Sequence, residues 1–153
     1  MKPETFTQKY ESLANVLWSE IAISRCAIED SPKECGEEKI SHAIKGIWDT
    51  GATNSVVSKR IVKMLGLPII NKVIVRHVNG EYEARICLVN FTLPCGAAIQ
   101  NLLVTEGDLG GDFDVLVGMD VIGRGDFAVS NFNGKTAFCF RIPSIADADL
   151  KTK

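Results

Sequence analysis

Two Asn-Gly pairs, each lying between strand-like runs, constrain the fold of this chain more than any other feature. Asn79-Gly80 separates VIVRHV from EYEARICLVNF, and Asn133-Gly134 separates DFAVSNF from KTAFCFRI. Asn-Gly between runs of β-branched and aromatic residues is the strongest short-range signal of a β-hairpin. Two more strand-like runs, IQNLLVT and FDVLVG, flank the turn-rich stretch EGDLGGD. The chain from residue 69 onward is therefore predicted to be mostly antiparallel β-sheet.

The N-terminal part is predicted to contain one short helix followed by two strands. Four apolar residues recur there at spacings of three and four: Phe6, Tyr10, Leu13 and Leu17. That spacing predicts an amphipathic helix over residues 4–17. Two strand-like runs follow, LWSEIAISRC and ISHAIKGIW, and the polar stretch IEDSPKECGEEK lies between them. We expect a strand on each side of this polar loop.

A second helix is predicted after the turn at residues 49–53. Three apolar residues at spacings of four share one helical face: Val57, Ile61 and Leu65. Ser55 or Ser58 can cap the start of this helix, because a serine hydroxyl accepts a hydrogen bond from a free N–H of the first turn. Gly66, followed by Pro68, is predicted to end it.

Composition and charge fit one soluble globular domain. The chain has 153 residues, of which 46% are hydrophobic and 24% are charged. A net charge of −2 gives no electrostatic reason to expect nucleic acid or an anionic membrane as partner. The start MKPETFTQKYES lacks the pattern of a signal peptide, and no apolar run approaches about 18 residues. We therefore expect a cytoplasmic protein without a membrane-spanning segment.

The cysteines and histidines show no metal-site pattern. No two of the five cysteines form a C-x-x-C pair, and neither His42 nor His77 has a partner at zinc-finger spacing. We therefore expect no metal, and reduced thiols. One alternative stays open, since Cys26 and Cys35 flank the polar loop and can form a disulfide in an oxidising compartment.

One carboxylate ends an apolar run, in the sequence WDTGAT. Burying a charge is unfavourable, so Asp49 needs a reason to be there. It is a turn-former, a phosphate-loop residue, or one half of a catalytic carboxylate pair. The phosphate loop fits least, because such loops normally lie in parallel α/β sheets and the chain has no P-loop lysine pattern.

Two stretches together resemble the retropepsin-like aspartic proteases: WDTGATNSVVS and, about 60 residues later, FDVLVGMDVI. The elements also run in the order of that family, with a strand, DTGA, a short helix ending in LGLP, a hairpin at HVNGE, a strand pair, an apolar-apolar-Gly turn and closing strands. The ending GDFAVSNFNGKTAFCFRIPS looks like the bacterial branch. The resemblance covers residues 40–143. It implies an all-β, mostly antiparallel fold with one or two short helices, closed into a retropepsin-type barrel.

The resemblance implies an aspartic endopeptidase that acts on a peptide or protein substrate. In such enzymes two carboxylates about 3 Å apart share one proton and activate a water molecule. Pepsin-like chains carry two D-T/S-G motifs, whereas this chain carries a single D-T-G. The resemblance therefore implies a homodimer in which each copy supplies one Asp49. It implies no metal and no organic cofactor.

The resemblance also assigns roles to the residues around Asp49. Thr50 is expected to hydrogen-bond across the dimer, Gly51 to allow close approach of the substrate, and Ala52 to stand where pepsin-like enzymes have serine. Substrate contacts are implied for four residues: Thr53, Asn54, Val56 and Leu116. The apolar-apolar-Gly element is Leu116-Val117-Gly118.

The hairpin His77-Val78-Asn79-Gly80-Glu81 matches the position of the flap, a lid that closes over the substrate in this family. The simpler interpretation is a tight surface turn. The order of the elements along the chain favours the lid.

The resemblance also divides the chain into three parts. Residues 1–39 form an N-terminal extension with a short helix, a strand and a polar loop, residues 40–143 form the protease domain, and residues 144–153 form a polar tail. The extension is a dimer element, a cover over the cleft or a processed pro-segment. The rival function is a catalytically weak retropepsin-like module for dimerisation or peptide binding. A degenerate site is expected to lose Asp49 or Gly51 first, and both are present.

Overall fold

A computed structural model describes residues 2–26 and 42–151 of the chain. Ten strands lie in these residues: β1 Glu4–Lys9, β2 Trp18–Arg25, β3 His42–Trp48, β4 Val56–Ser58, β5 Ile69–His77, β6 Gly80–Thr92, β7 Ala98–Gly107, β8 Val115–Val117, β9 Asp126–Ser130 and β10 Ala137–Ile142. Two short helices accompany them: α1 Lys59–Leu65 and α2 Met119–Ile122. A single 3₁₀ turn, Phe132–Gly134, lies between β9 and β10. The predicted fold class, mostly β with one or two short helices, is confirmed.

The strands form two sheets, one of which returns on itself. The larger sheet has the order β2-β3-β8-β4-β7-β6-β5, and β2 also pairs with β6. β6 is long enough to pair with β5 as well as with β2, because its residues 80–87 pair with β5 and its residues 89–92 pair with β2. Six strands therefore follow one another in a ring. Most pairings are antiparallel as predicted, but β3 with β8 and β4 with β7 are parallel.

The smaller sheet shows that the helix predicted over residues 4–17 is wrong. Glu4–Lys9 is a strand, and it pairs antiparallel with β10 in a sheet of the order β1-β10-β9. The spacing of four between Phe6 and Tyr10 puts them on one side of a strand as well as on one face of a helix. The alternating residues Thr5 and Thr7 favour the strand, and β10 supplies the backbone partners that decide it.

The first helix after the Asp49 turn has the predicted caps. The Ser58 hydroxyl accepts a hydrogen bond from the Ile61 N–H at 3.2 Å, so Ser58 and not Ser55 is the N-cap. Gly66 ends the helix in the left-handed conformation, with φ of 56°. Val57, which was expected on the helical face with Ile61, lies in β4 instead.

The two Asn-Gly turns differ in their geometry. Asn79-Gly80 joins β5 directly to β6 as predicted, with His77 opposite Gly80 and with Gly80 at φ of 129°. Between β9 and β10 the connection is longer, because Ser130 pairs with Ala137. Six residues, 131–136, therefore lie between the strands, and the 3₁₀ turn takes up three of them. The Asn133-Gly134 signal locates this turn but not its length.

An aromatic cluster joins the smaller sheet to the ring. Trp48, at the end of β3, is buried against aromatic rings of the smaller sheet. Its ring stacks on Phe127 with the centroids 5.8 Å apart and an angle of 5° between the planes. Three more phenylalanines surround it: Phe6, Phe138 and Phe140. Trp48 therefore marks where the two sheets meet.

The alternative disulfide between Cys26 and Cys35 involves a residue, Cys35, that lies outside the described residues. Within the described part of the chain, four cysteines are free thiols: Cys26, Cys87, Cys95 and Cys139. The Cys26 thiol lies 3.3 Å from the Asn90 side-chain oxygen, to which it donates.

The division of the chain at residues 39 and 143 stays a prediction, although β1 and β2 both pair with later strands.

Asp114 fastens the segment before β8 to the start of α1. Its carboxylate accepts from the Ser58 hydroxyl at 2.5 Å and from the Arg60 guanidinium. These hydrogen bonds, that from Arg60 above all, lower the pKa of the Asp114 carboxyl against the opposing effect of burial. The backbone carbonyl of Asp114 also accepts from the Ser58 N–H at 2.9 Å. The register of β4 against β8 is thereby fixed from one end.

Substitution of Asp114 tests this fastening. Asp114→Asn removes the charge and is expected to lower the free energy of unfolding by about 1–2 kcal/mol at pH 7. Because the folded pKa is below the unfolded value of about 3.9, this stabilisation is present above pH 4 and disappears as the pH falls through the folded pKa. Urea unfolding of the wild type and the variant at several pH values measures the difference. Asp112→Asn, an exposed position in the same segment, is the control and is expected to change stability by less than about 0.5 kcal/mol. An equal loss at pH 7 and below pH 3 would contradict the role of the charge.

Candidate active site

Asp49 lies at the carboxyl end of β3, where the chain leaves the ring. Trp48 is opposite Val117 in the parallel β3–β8 pair, and the Asp49 N–H donates to the Val117 carbonyl at 2.9 Å. Asp49 then accepts twice from its own turn, with Oδ1 from the Gly51 N–H at 2.8 Å and with its carbonyl from the Ala52 N–H at 3.2 Å. The turn-forming interpretation of Asp49 is therefore correct as geometry. It does not exclude a chemical role, because the side chain is only half-buried.

The tip of the turn is open to solvent. Thr50 and Gly51 are exposed, and Ala52 is half-buried. A Cβ placed on Gly51 would lie 3.1 Å from Asp49 Oδ1, closer than most Cβ contacts. Glycine at this position keeps the space next to the carboxylate free. The Asp49-Thr50-Gly51 turn is thus accessible to another molecule.

The turn that follows β8 packs directly on the Asp49 turn. The Met119 N–H donates to the Ala52 carbonyl at 2.8 Å, and the Asp120 N–H donates to the Thr53 carbonyl at 3.1 Å. A Cβ on Gly118 would lie 2.7 Å from the carbonyl carbon of Asn54, which is backbone and cannot move aside cheaply. The apolar-apolar-Gly element needs its glycine for this close approach. The structure thus brings the two predicted stretches together.

Ser55 and Asp120 form the polar centre between these two turns. Ser55 is fully buried, and its hydroxyl donates to Asp120 Oδ1 at 2.7 Å and accepts from the Gly118 N–H at 3.0 Å. Its own N–H donates to Asp120 Oδ2 at 2.8 Å. From the sequence, Ser55 is a candidate only for the cap of α1. No local pattern distinguishes it, because its partners are more than 60 residues away.

The residues expected to contact a substrate lie on both sides of this centre. Thr53 and Asn54 are exposed on the Asp49 turn. Val56 is opposite Leu116 in the antiparallel β4–β8 pair, and both side chains are half-buried. Val117, between Leu116 and Gly118, is buried in the core. Val56 and Leu116 therefore form one partly open apolar surface next to the Asp49 turn.

The hairpin tip lies where β5 meets β6, as predicted. Val78 is fully exposed at the tip, and an ion pair between Arg76 and Glu81, 2.7 Å apart, closes the strands behind it. The rest of the tip, Asn79-Gly80, forms the turn. The hairpin belongs to the larger sheet, because β6 continues beyond it and pairs with β7. Its closure over the Asp49 turn stays a prediction.

Two surface cavities lie away from Asp49. One, of about 580 Å³, is lined by residues 58–60 and 107–114. The other, of about 700 Å³, is lined by Lys59, Val75, Tyr82, Glu83, Arg85 and residues 106–108. Neither lining includes a residue of the Asp49 turn. In the single chain, the Asp49 carboxylate is therefore not placed in either cavity.

The described part of the chain has neither a cluster of metal ligands nor a membrane-spanning helix. Among residues 2–26 and 42–151, no three side chains of His, Cys, Asp or Glu are grouped so as to hold a metal ion. In the same part of the chain, no helix has the length and apolar character needed to cross a membrane. The expected cytoplasmic location stays a prediction.

Ser55 offers a direct test of the polar centre. Ser55→Ala leaves the Gly118 N–H and one oxygen of Asp120 without their partner, so the free energy of unfolding is expected to fall by about 2–3 kcal/mol. Urea unfolding at a fixed protein concentration measures this loss. Ser130→Ala, at an exposed position on β9, is the matched control and should change stability by less than about 0.5 kcal/mol. A loss for Ser55→Ala as small as that of the control would show that the centre is not stabilising.

Comparison with known proteins bears on this geometry. The family described as Aspartyl protease matches residues 39–121, which include both turns. No curated protein sequence matches the chain. A retropepsin-like aspartic protease from Rickettsia conorii is similar in structure, with a TM-score of 0.54 and 13% sequence identity over 92% of this chain and 96% of that one.

Two further solved structures are similar over a smaller share of this chain. The EIAV protease complexed with the inhibitor HBY-793 has a TM-score of 0.49 and 17% identity, over 74% of this chain and 90% of that one. The retroviral protease-like domain of Ddi1 from Leishmania major has a TM-score of 0.48 and 18% identity, over 76% and 82%. The match to the Aspartyl protease family covers more than half of this chain, so the chain belongs to that family. Its fold is retropepsin-like.

Proposed function

We propose that this protein is a homodimeric aspartic endopeptidase whose two Asp49 carboxylates activate the attacking water. One observation carries the proposal: in an aspartyl protease chain, Asp49 follows β3 in an accessible Asp-Thr-Gly turn that is hydrogen-bonded to the Gly118 turn. A rigid support of this kind holds a reacting group in place, and the exposed tip lets a second molecule reach it.

The chemistry needs two carboxyl groups in different protonation states. Two carboxylates about 3 Å apart cannot both ionise readily, so the pair holds one proton. The ionised Asp49 takes a proton from water, and the oxygen of that water attacks the peptide carbonyl carbon. The protonated Asp49 of the other copy stabilises the negative oxygen, and the C–N bond breaks as the leaving nitrogen is protonated. Activity is therefore expected to fall both in acid, where no base remains, and in alkali, where the shared proton is lost.

The pairing requirement supports a dimer about a two-fold axis. The whole sequence contains a single D-T-G, so a second carboxylate of the same kind must come from another copy. Thr50 and Gly51 are exposed at the tip of the turn, where two copies can meet. Two-fold dimers are the commonest closed oligomers, and they place the same residue of each copy at the axis. In this arrangement Thr50 hydrogen-bonds across the axis.

The surrounding residues are assigned to the substrate. Thr53 and Asn54, exposed beside Asp49, bind the substrate backbone, and the apolar surface of Val56 and Leu116 accepts side chains. The hairpin 77–81 is proposed to close over the bound peptide and exclude water. Ala52 has no hydroxyl to donate to the carboxylates. This set recognises an extended peptide and needs no metal or organic cofactor.

The first test replaces the proposed catalytic group. Asp49→Asn is close in shape and can keep the turn, but it can neither act as base nor share a proton, so cleavage is expected to be abolished. A diverse peptide library is incubated with wild type and variant, and cleavage is read by mass spectrometry. Asp112→Asn, at an exposed position outside the turn, is the matched control and is expected to cleave like the wild type.

Two outcomes would decide against the proposal. Cleavage by a clean Asp49→Asn preparation would show that another group does the chemistry. A wild type that dimerises and binds peptides without cleaving any of the library would favour the rival function, a module for dimerisation or peptide binding.

The second test counts the carboxylates in one active site. Wild type and Asp49→Asn are mixed at a fixed total concentration, with wild type as a fraction f, and subunits are allowed to exchange. If each site needs Asp49 from two copies, activity falls as f squared, and an equal mixture retains about a quarter of full activity by random pairing. Exchange is first proved with two differently tagged wild-type preparations. Activity proportional to f after proven exchange would place both acids in one chain.

A further inference from the structure

Trp48, the residue directly before Asp49, is held by the N-terminal part of the chain. Its backbone N–H donates to the Leu17 carbonyl at 2.8 Å. Its indole Nε1–H donates to the Ser19 hydroxyl at 2.9 Å. Both acceptors precede residue 39, where the match to the aspartyl protease family begins. The support of Asp49 therefore extends beyond the segment that identifies the family.

The indole has little freedom to move in its site. Trp48 is 4% exposed and stacks on Phe127, and its ring lies 5.1 Å from that of Phe140 and 5.6 Å from that of Phe6 between centroids. Rings packed on several sides restrict the rotation of the indole, because protein cores are close-packed. Within this apolar cluster, the hydrogen bond to Ser19 fixes the direction of the Nε1–H edge.

Ser19 is a buried polar residue with a definite partner. It is 0% exposed on β2, opposite Gly46 of β3, and its hydroxyl oxygen accepts the indole N–H. The hydroxyl also lies 3.4 Å from the Glu20 carbonyl, to which it donates a long hydrogen bond. Removing the hydroxyl would leave the indole N–H unpaired in an apolar site, which is costly enough to displace the ring.

A displaced Trp48 would move Asp49, because the peptide unit between them is planar and rigid. Asp49 is held on its other side by the Val117 carbonyl and by its own turn. The position of its carboxylate therefore depends on β8, on this turn and on Trp48. Two carboxylates that share a proton tolerate little misplacement, since an error of about 1 Å can cost a hundredfold in rate.

We infer that Ser19 is a positioning residue that acts through the Trp48 indole on the Asp49 carboxylate. The inference rests on the proposed function, since it concerns the same reaction. It also gives the N-terminal extension a role. Removal of the extension as a pro-segment would take away Leu17 and Ser19, which hold Trp48, so the described part of it, residues 2–26, belongs to the mature active site.

The experiment compares Ser19→Ala with Asn90→Ala. The Asn90 side chain donates to the Arg25 carbonyl at 3.1 Å and accepts from the Asn101 N–H at 2.9 Å, at the opposite end of β2 from Ser19, so its loss weakens the fold without touching the residues that hold Trp48. Ser19→Ala is expected to lower kcat about tenfold with KM within about twofold, and Asn90→Ala to leave kcat within about twofold. Both are assayed well below their unfolding temperatures and at a concentration where sedimentation shows dimer.

A double-mutant cycle tests whether the effect passes through the indole. Trp48→Phe keeps an aromatic ring but has no N–H to leave unpaired. In that background, Ser19→Ala is expected to change kcat by less than about twofold, since its partner is already absent. If Ser19→Ala does not fold, Trp48→Phe against Asn90→Ala carries the comparison, and the same tenfold loss is expected. Equal losses for Ser19→Ala and Asn90→Ala, or independent effects in the cycle, would overturn the inference.

A spectroscopic measurement keeps the inference separate from the proposed function. The Asp49 side-chain carboxyl carbon is observed by NMR at one pH in the wild type, Ser19→Ala and Asn90→Ala, with Asp49→Asn to assign the signal. We expect its resonance to move in Ser19→Ala and to stay in Asn90→Ala. If cleavage survives in Asp49→Asn, the proposed function fails while this comparison still decides the positioning. An unmoved resonance together with an unchanged kcat in Ser19→Ala would show that Ser19 has no such role.

Discussion

The parallel pairing of β3 with β8 is the constraint on which the rest of the molecule depends. Asp49 follows the last residue of β3, and Gly118 follows the last residue of β8. Parallel strands end at the same edge of a sheet, so both turns meet there, whereas antiparallel strands would separate them by the length of the pair. Parallel neighbours also need a long crossover, and the residues between them supply α1 and four strands. The crossover between β3 and β8 thus forms part of the ring, and it brings the Asp49 turn and the Gly118 turn together.

A buried polar centre fixes the position of the Asp49 turn relative to the Gly118 turn. Apolar contacts alone allow neighbouring strands of the ring to pair in more than one register. Ser55, Asp120 and the Gly118 N–H make all their hydrogen bonds to one another in a single register. Polar groups in a core are costly when they lack partners, so alternatives in which β4 slips along β8 lose several hydrogen bonds together. Trp48 and Ser19 act in the same way at the other side of Asp49. The site is supported by two polar contacts set in apolar surroundings.

Local signals predicted the elements whose cause is local. The Asn79-Gly80 hairpin and the Ser58 and Gly66 caps lie where their residues indicated. The strand at residues 4–9 was missed because Phe6 and Tyr10 suit either periodicity, and the deciding partner, β10, is far away in sequence. Ser55 and Ser19 were missed for the same reason. A lone serine carries no sequence pattern, and the roles of Ser55 and Ser19 come from partners distant in the chain: Asp120 and Gly118 for Ser55, and Trp48 for Ser19.

The pairing of β1 with β10 has a consequence for how the chain reaches its folded state. Glu4 lies opposite Ile142, so the two strands are joined by nearly the whole length of the chain. Contacts so distant in sequence form slowly, because the intervening chain must first be ordered at a cost in entropy. Phe6, Phe138 and Phe140, which enclose Trp48, come from these two strands. During synthesis on the ribosome, the aromatic enclosure of Trp48 therefore stays incomplete until β10 has emerged, and the growing chain cannot complete the support of Asp49 before then.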